Sequence, residues 1–258
     1  MKFIILTIFP EMYESFLSTS IIKRAIGEGL VEVRLVNIRN YTKDKYGRID
    51  TPPIGGGAGL IMKCQPIVDA LMTNSTEDSY KICLSPRGTI FNQAKAVELS
   101  KKKEIVILCG HYEGFDERVY DYFDETISIG DYVLTGGECA SFCLIDAISR
   151  LIKGVISEQS TVEESFTNGL LEYPQYTEPY DFNNQKVPDI LYSGNHSAID
   201  KYHKKEALKM TKKYRPDLFI KYSVNKEETK LLKELENKEM AKWEIAAIEK
   251  GKKFTKNH

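Results

Sequence analysis

An α/β fold with a mainly parallel, buried sheet is what this sequence predicts, and three observations predict it. Short apolar runs rich in β-branched residues recur between Phe3 and Leu134, helix-length stretches separate them, and glycine-rich turns follow the later runs. Runs of this kind, apolar without polar alternation, belong to strands covered on both faces, and parallel pairing needs the long crossovers that the separating stretches supply.

The strand runs are Phe3 to Phe9, Val31 to Ile38, Lys81 to Leu84, Ile105 to Cys109 and Thr126 to Leu134. Helices are expected over Pro10 to Glu28, Gln65 to Met72, Asn92 to Ser100 and Glu138 to Ile152. The last carries apolar residues on most faces, which suits a helix buried in a core or in a subunit interface. After Lys153-Gly154 the character changes. Ser157 to Asn168 is polar and lacks periodicity, and a Pro/Tyr/Asn-rich segment from Tyr173 leads to two basic helices, Ser197 to Lys213 and Lys226 to Lys250. The expected organisation is an N-terminal domain over 1–156, a flexible linker over 157–172 and a small, mainly helical domain over 173–258.

With 258 residues, 42% of them hydrophobic, the chain can bury a sizeable core. No run approaches the roughly 18 apolar residues of a membrane span, and the N-terminus has no signal-peptide pattern, so the reading is a cytoplasmic protein with no membrane partner. The five cysteines, at 64, 83, 109, 139 and 143, form no C-x-x-C pair and are expected to be buried thiols, with Cys139 and Cys143 on one helix face. The net charge of −1 hides an asymmetry: from Lys201 onward there are 17 Lys and Arg against 9 Asp and Glu, whereas residues 1–200 hold 19 against 28. A basic helical tail suits contact with phosphate backbones, and equally a solvated lysine surface.

Chemistry concentrates in three turns. Ile129 to Glu138 packs a strand end, a tight glycine turn and a helix start into one stretch, Cys109 to Gly114 follows an all-apolar run, and Ser85-Pro86-Arg87-Gly88 follows a third. Glycines let main-chain groups approach a ligand that a Cβ would keep away. Three successive strand ends opening on one side of a sheet are where open α/β folds bind ligands. The cluster Gly55-Gly56-Gly57-Ala58-Gly59 is followed by Leu60-Ile61 rather than by Lys and Ser or Thr, so it is no Walker loop. It reads as a flexible turn or a point of close backbone packing. No strand leads into G-x-G-x-x-G, which removes a nicotinamide Rossmann site.

The motifs Ser-Pro-x-Gly at 85–88, Cys-Gly-x-Tyr-Glu-Gly-x-Asp-Glu-Arg at 109–118, Ser-Ile-Gly-Asp-Tyr-Val-Leu-x-Gly-Gly-Glu at 128–138, Ser-Phe-x-x-Gly-Leu-Leu-Glu at 165–172 and Ser-Gly-Asn-His at 193–196 occur in that order. In order and spacing, from Ile8-Phe9-Pro10-Glu11 through His196, the chain resembles the bacterial tRNA (guanine-N(1)-)-methyltransferases of the SPOUT superfamily. The resemblance implies a homodimer whose N-terminal domain carries a deep trefoil knot. It also implies S-adenosylmethionine held by Leu84, Ser85, Pro86 and Gly88, by Gly110, Tyr112, Glu113 and Gly114, and by Ile129, Gly130, Tyr132, Leu134, Gly136 and Gly137. The implied substrate is tRNA, methylated on the guanosine directly 3′ of the anticodon, with the second subunit's C-terminal domain helping to hold it. Mg²⁺ is implied in the transfer step, although no local cluster looks like a metal cage.

Nitrogen 1 of guanine becomes nucleophilic only as its proton leaves and charge spreads onto the exocyclic oxygen, so a base and a cation are needed together. By resemblance Arg150 is that cation and Glu164 is the base, with Glu163 the alternative. Asp131 and Glu138 have two readings, facing the donor's amino group or capping a turn and a helix start. Three positions depart from the family pattern: Glu164 stands where aspartate is usual, Glu178 where arginine precedes the proline, and Ala58 where proline is usual. They motivate one alternative, a diverged paralogue that methylates another RNA or a small molecule.

Overall fold

The structure, a computed structural model, describes residues 1–157, 164–237 and 240–255. Seven strands form in its first part: β1 (Lys2–Thr7), β2 (Glu32–Asn37), β3 (Asp50–Thr51), β4 (Ile61–Met62), β5 (Tyr80–Ile90), β6 (Glu104–Leu108) and β7 (Glu125–Ser128). Five of them make one parallel sheet in the order β2-β1-β6-β5-β7, while β3 and β4 pair antiparallel beside it. The helices here are α1 (Glu14–Ser18), α2 (Ser20–Gly27), α3 (Cys64–Asn74), α4 (Gln93–Leu99) and α5 (Glu138–Ser149). Contacts divide the chain into two compact units, Met1–Glu158 and Gln159–His258.

The apolar runs fill both sheet faces by simple alternation. Phe3, Ile5, Ile82, Ile105 and Ile107 share a core with Ile22 and Ala25 of α2 and with Leu144, Ile145 and Ile148 of α5. Ile4, Leu6, Cys83, Val106 and Leu108 pack on the other side with Ile67, Ala70 and Leu71 of α3. Each such side chain, taken fully out of water, contributes about 1.5–3 kcal/mol.

Several expected elements differ. The helix expected over Pro10 to Glu28 is a 3-10 turn at Pro10–Tyr13 followed by α1 and α2, because Thr19 is extended (φ −127°, ψ 156°) and Ser20 is left-handed (φ 53°). The Ser18 and Thr19 hydroxyls donate to the Ser15 carbonyl, a local bond that competes with the helix ladder. The run expected to stay extended from Thr126 to Leu134 leaves the sheet at Ser128. There the serine hydroxyl accepts from the Gly130 N–H and donates to the Gly130 carbonyl, turning the chain. Cys139 and Cys143 do share a helix face, but that face is exposed together with Asp146, since Ala140, Leu144, Ile145 and Ile148 occupy the inner side of α5. Cys64 is half-buried; only Cys83 and Cys109 are buried thiols.

The second unit contains a short hairpin, β8 (Asp181–Phe182) with β9 (Gln185–Lys186), and the helices α6 (His196–Tyr214), α7 (Pro216–Lys221), α8 (Lys226–Glu236) and α9 (Lys242–Thr255). The single basic helix expected over Lys226 to Lys250 is thus two, with α8 ending where Asn237 turns extended. Within the stretch 164–172, part of the expected flexible linker, Leu170 alone is buried. Leu170 is buried with Ala207, Leu208 and Leu231, and the Leu171 N–H donates to Thr211 Oγ1 at 2.8 Å. Glu163 lies outside the described residues. Among the described residues no helix is long and apolar enough to cross a membrane.

Candidate active site

The carboxyl ends of three adjacent strands, β6, β5 and β7, open on one cavity of about 350 Å³, within the range of small-molecule sites. From the first turn come Leu84, Ser85 and Pro86, from the second Gly110, Tyr112, Glu113 and Gly114, and from the third Ile129, Gly130, Tyr132, Leu134, Gly136 and Gly137. Gly88 is the one expected donor residue outside the lining. Leu84 and Thr89 both pair with Ile127, so Ser85 to Gly88 loop out of β5, and a Cβ on Gly88 would stand 2.6 Å from the backbone of Thr126 and Ile127. Its glycine is required by packing against β7.

Each turn is pinned from below. The Ser85 hydroxyl accepts from Tyr120 at 3.1 Å, and Arg87 stacks 3.4 Å above the Tyr120 ring while gripping Glu117 with both guanidinium nitrogens. Asp116, whose carboxyl the Arg118 guanidinium holds below the usual carboxylate range, caps the turn after the second loop. Tyr112 takes a left-handed conformation (φ 59°), a strained state for a side chain of that size, and leaves its ring 40% exposed at the mouth of the cavity. Glu113 lies against the glycine-rich stretch, where a Cβ on Gly59 would meet its Cγ, and its N–H donates to the Leu60 carbonyl at 3.0 Å. Of the two readings of Gly55 to Gly59, Gly59 is the close packing point. The exposed Tyr132, Val133 and Leu134 add an apolar rim able to cover a flat ring.

Beneath the floor lies a buried polar chain. The Thr7 hydroxyl donates to Glu138 Oε1 at 2.7 Å and accepts from the Phe9 N–H. Tyr13 shares a 2.6 Å bond with Ser141, which in turn donates to the Glu138 carbonyl. Burial, reinforced by the Glu138 charge, pushes the Cys109 thiol up to about 12, and burial likewise raises the Tyr13 phenol, so both stay protonated at neutral pH. Glu138, at the first turn of α5 and 1% exposed, therefore faces the protein interior. Thr7, Tyr13 and His111 escaped the sequence reading. His111 had a signal, its place between Gly110 and Tyr112, and Thr7 a weaker one, the polar residue ending an apolar strand.

Arg150 caps the C-terminal end of α5 and is half-buried. Glu164 belongs to the second unit and lines a cavity there with Leu170, Asp200, His203 and Lys204. Glu178 lines another cavity in that unit with Tyr173, Tyr176, Tyr192 and His203. Among the described residues no group of three His, Cys, Asp or Glu could hold a metal ion, so the implied Mg²⁺ finds no cage in them.

Fold and cavity together define an open parallel α/β protein with a cavity at its strand ends, lined by glycine-rich turns, where proteins of this class bind small molecules. A family model described as tRNA (Guanine-1)-methyltransferase TrmD matches residues 1–221. A tRNA (guanine-N(1)-)-methyltransferase of Clostridium perfringens (strain SM101 / Type A) is 52% identical over 235 residues, 90% of this chain and 99% of that protein. Namesakes of Clostridium botulinum (strain 657 / Type Ba4) and Clostridium beijerinckii are 50% and 52% identical over 92% of this chain and 100% of theirs. The chain belongs to the tRNA (guanine-1)-methyltransferase family.

Proposed function

We propose that this protein transfers the methyl group of S-adenosylmethionine to nitrogen 1 of the guanosine immediately 3′ of the anticodon in tRNA. One observation carries the reading in a chain of this family: the turns expected to grip the donor, drawn from three separate stretches, line a single cavity at the ends of β5, β6 and β7. The donor fits what is there, since glycine backbone edges suit its polar groups and Tyr132, Val133 and Leu134 suit its flat base.

Bound S-adenosylmethionine supplies an electrophilic methyl group, whose bond to sulfur breaks with the electron pair remaining on sulfur. Glu164 takes the proton from nitrogen 1 of guanine. Arg150 balances the negative charge that then spreads onto the exocyclic oxygen, and nitrogen 1 forms the new bond to carbon. The described residues offer Mg²⁺ no cage. The reading includes the family's homodimer, its deep trefoil knot and a cytoplasmic location.

The test is methyl transfer from labelled S-adenosylmethionine to two matched tRNA transcripts, one with guanosine after the anticodon and one with adenosine. Formation of 1-methylguanosine on the first alone is expected. Equal labelling of both, or labelling of neither by a protein that binds the donor, would overturn the assignment.

A further inference from the structure

His111 lines the donor cavity, yet the chemistry above does not use it. Its Nδ1 is buried and has no hydrogen-bond partner among the described residues. Facing it, 3.9 Å away, is Oε2 of Glu138, whose other carboxylate oxygen is held by Thr7. The two side chains belong to the two turns that a donor must bridge: His111 follows β6, and Glu138 begins α5. Their closeness shows at Gly136, where a Cβ would stand 2.5 Å from both His111 Nδ1 and Glu138 Oε2. The backbones of His111 and Gly136 also form an isolated antiparallel bridge. Phe9 and Tyr112 meet the imidazole edge-on at 4.9 and 5.1 Å and fix its plane.

We propose that His111 is a positioning residue of the donor site, whose imidazolium closes on Glu138 Oε2 and ties the turn after β6 to the turn that starts α5. When neutral, the ring has at most an uncharged Nδ1–H to offer the carboxylate, and the tie is weaker. The inference rests on the donor-site reading above. Around the pair, Tyr112 stands beside His111 in its own loop, Tyr13 and Cys109 lie beyond Glu138, and Glu113 and Glu117 line the same cavity. The Tyr13 and Cys109 groups stay neutral near pH 7, and histidine is the side chain that ordinarily changes charge between about pH 5 and 8. Donor binding needs both turns in place, so a positive charge on the imidazole favours the bound state. By linkage, affinity is greatest on the acid side and falls as pH rises.

The experiment is calorimetric titration of the full chain with S-adenosylhomocysteine, which lacks the reacting methyl, at about pH 6, 7 and 8. The wild-type Kd is expected to rise roughly fivefold across that range. His111→Gln should bind weakly with no pH slope. His111→Arg, whose guanidinium keeps its charge throughout, should bind tightly with no slope. Glu138→Gln, which keeps an oxygen for Thr7, should also lose the slope; if it fails to fold, the two His111 variants decide. A flat wild-type profile overturns the inference and leaves the donor site standing, and so does a slope that survives in His111→Gln. Absence of binding by the wild-type protein at every pH overturns the donor-site reading and this inference together.

Discussion

Gly88 offers a test of how the wall of the cavity is held, apart from what lines it. It does not line the cavity, and a Cβ there would stand 2.6 Å from backbone atoms of Thr126 and Ile127. Carbon atoms settle at about 3.5–4.0 Å, so Gly88→Ala must drive β5 and β7 apart by roughly 1 Å. The obstacle is main chain in a parallel ladder, with Leu84 and Thr89 both registered on Ile127, and it cannot rotate aside. Overpacking of this kind costs about 1–3 kcal/mol, which in a unit of this size lowers Tm by about 2–4 °C per kcal/mol. Because β7 leads directly into Ile129 and Gly130, the same displacement reaches the cavity wall, and misplacement on that scale costs about a hundredfold in rate. Thermal melts, titration with S-adenosylhomocysteine and single-turnover methyl transfer should all be affected. Gly27→Ala is the control: nothing stands within 4 Å of a Cβ at the end of α2, and alanine should gain up to about 1 kcal/mol there. A Gly88→Ala protein with wild-type melting and affinity would refute the packing argument. Weakened affinity at unchanged Tm would make Gly88 a direct donor contact.

Glu164→Gln should abolish turnover while S-adenosylhomocysteine affinity stays as in wild type; full turnover would move the base to Glu163 or out of this stretch. Arg150→Ala should lower the single-turnover rate about a hundredfold or more, the scale of a lost charge-stabilising donor, and weaken tRNA binding far less. Equal losses would make it a binding residue. Tyr13→Phe removes the 2.6 Å bond to Ser141 from the core and should cost about 1–2 kcal/mol in urea unfolding, equally at about pH 6 and pH 8, because burial keeps the phenol protonated throughout. In the second unit, burial alone would raise the Glu228 carboxyl, but the Tyr222 hydroxyl at 2.6 Å, the Asn225 N–H and Lys204 outweigh it and hold it below its ordinary value. A native pKa below the unfolded one gives stabilisation that is present above the unfolded value and lost on acidifying through the native value. Acid titration of the second unit's helical signal should therefore show a slope below about pH 4.5 that Glu228→Gln flattens.

What was legible in the sequence was what local chemistry dictates. The central strands β1 and β6 announce themselves because cover on both faces removes polar alternation from Ile4-Ile5-Leu6 and Ile105-Val106-Ile107-Leu108. The turns of the cavity announce themselves because close approach and left-handed backbone leave glycine as the residue that fits. The break at Thr19 and Ser20 was hidden, since serine and threonine are compatible with either a helix or a local hydroxyl bond to Ser15. The exposure of Cys139 and Cys143 was hidden as well, because small, weakly polar side chains lie on either face of a helix at little cost. Within the linker expected over 157–172, the burial of Leu170 was hidden because its partners are distant in sequence: the neighbouring Leu171 N–H donates to the side-chain hydroxyl of Thr211, forty residues away.

The floor of the cavity was illegible for a deeper reason: its partners meet only after folding. Thr7 and Glu138 are 131 positions apart, and Tyr13 and Ser141 are 128 apart. Nothing in either neighbourhood reports the other. A carboxylate as buried as Glu138 is costly unless hydrogen-bonded, and the compensation comes from the positive end of α5 together with the Thr7 hydroxyl at the end of β1. An apolar residue at 138 would suit the core at least as well, so stability does not by itself account for the acid. The carboxylate does join β1 to the start of α5 and stands 3.9 Å from His111 in the turn after β6, beside residues that line the cavity. On the proposal made above for His111, a charge kept at this place would set the spacing of the turns that line the cavity.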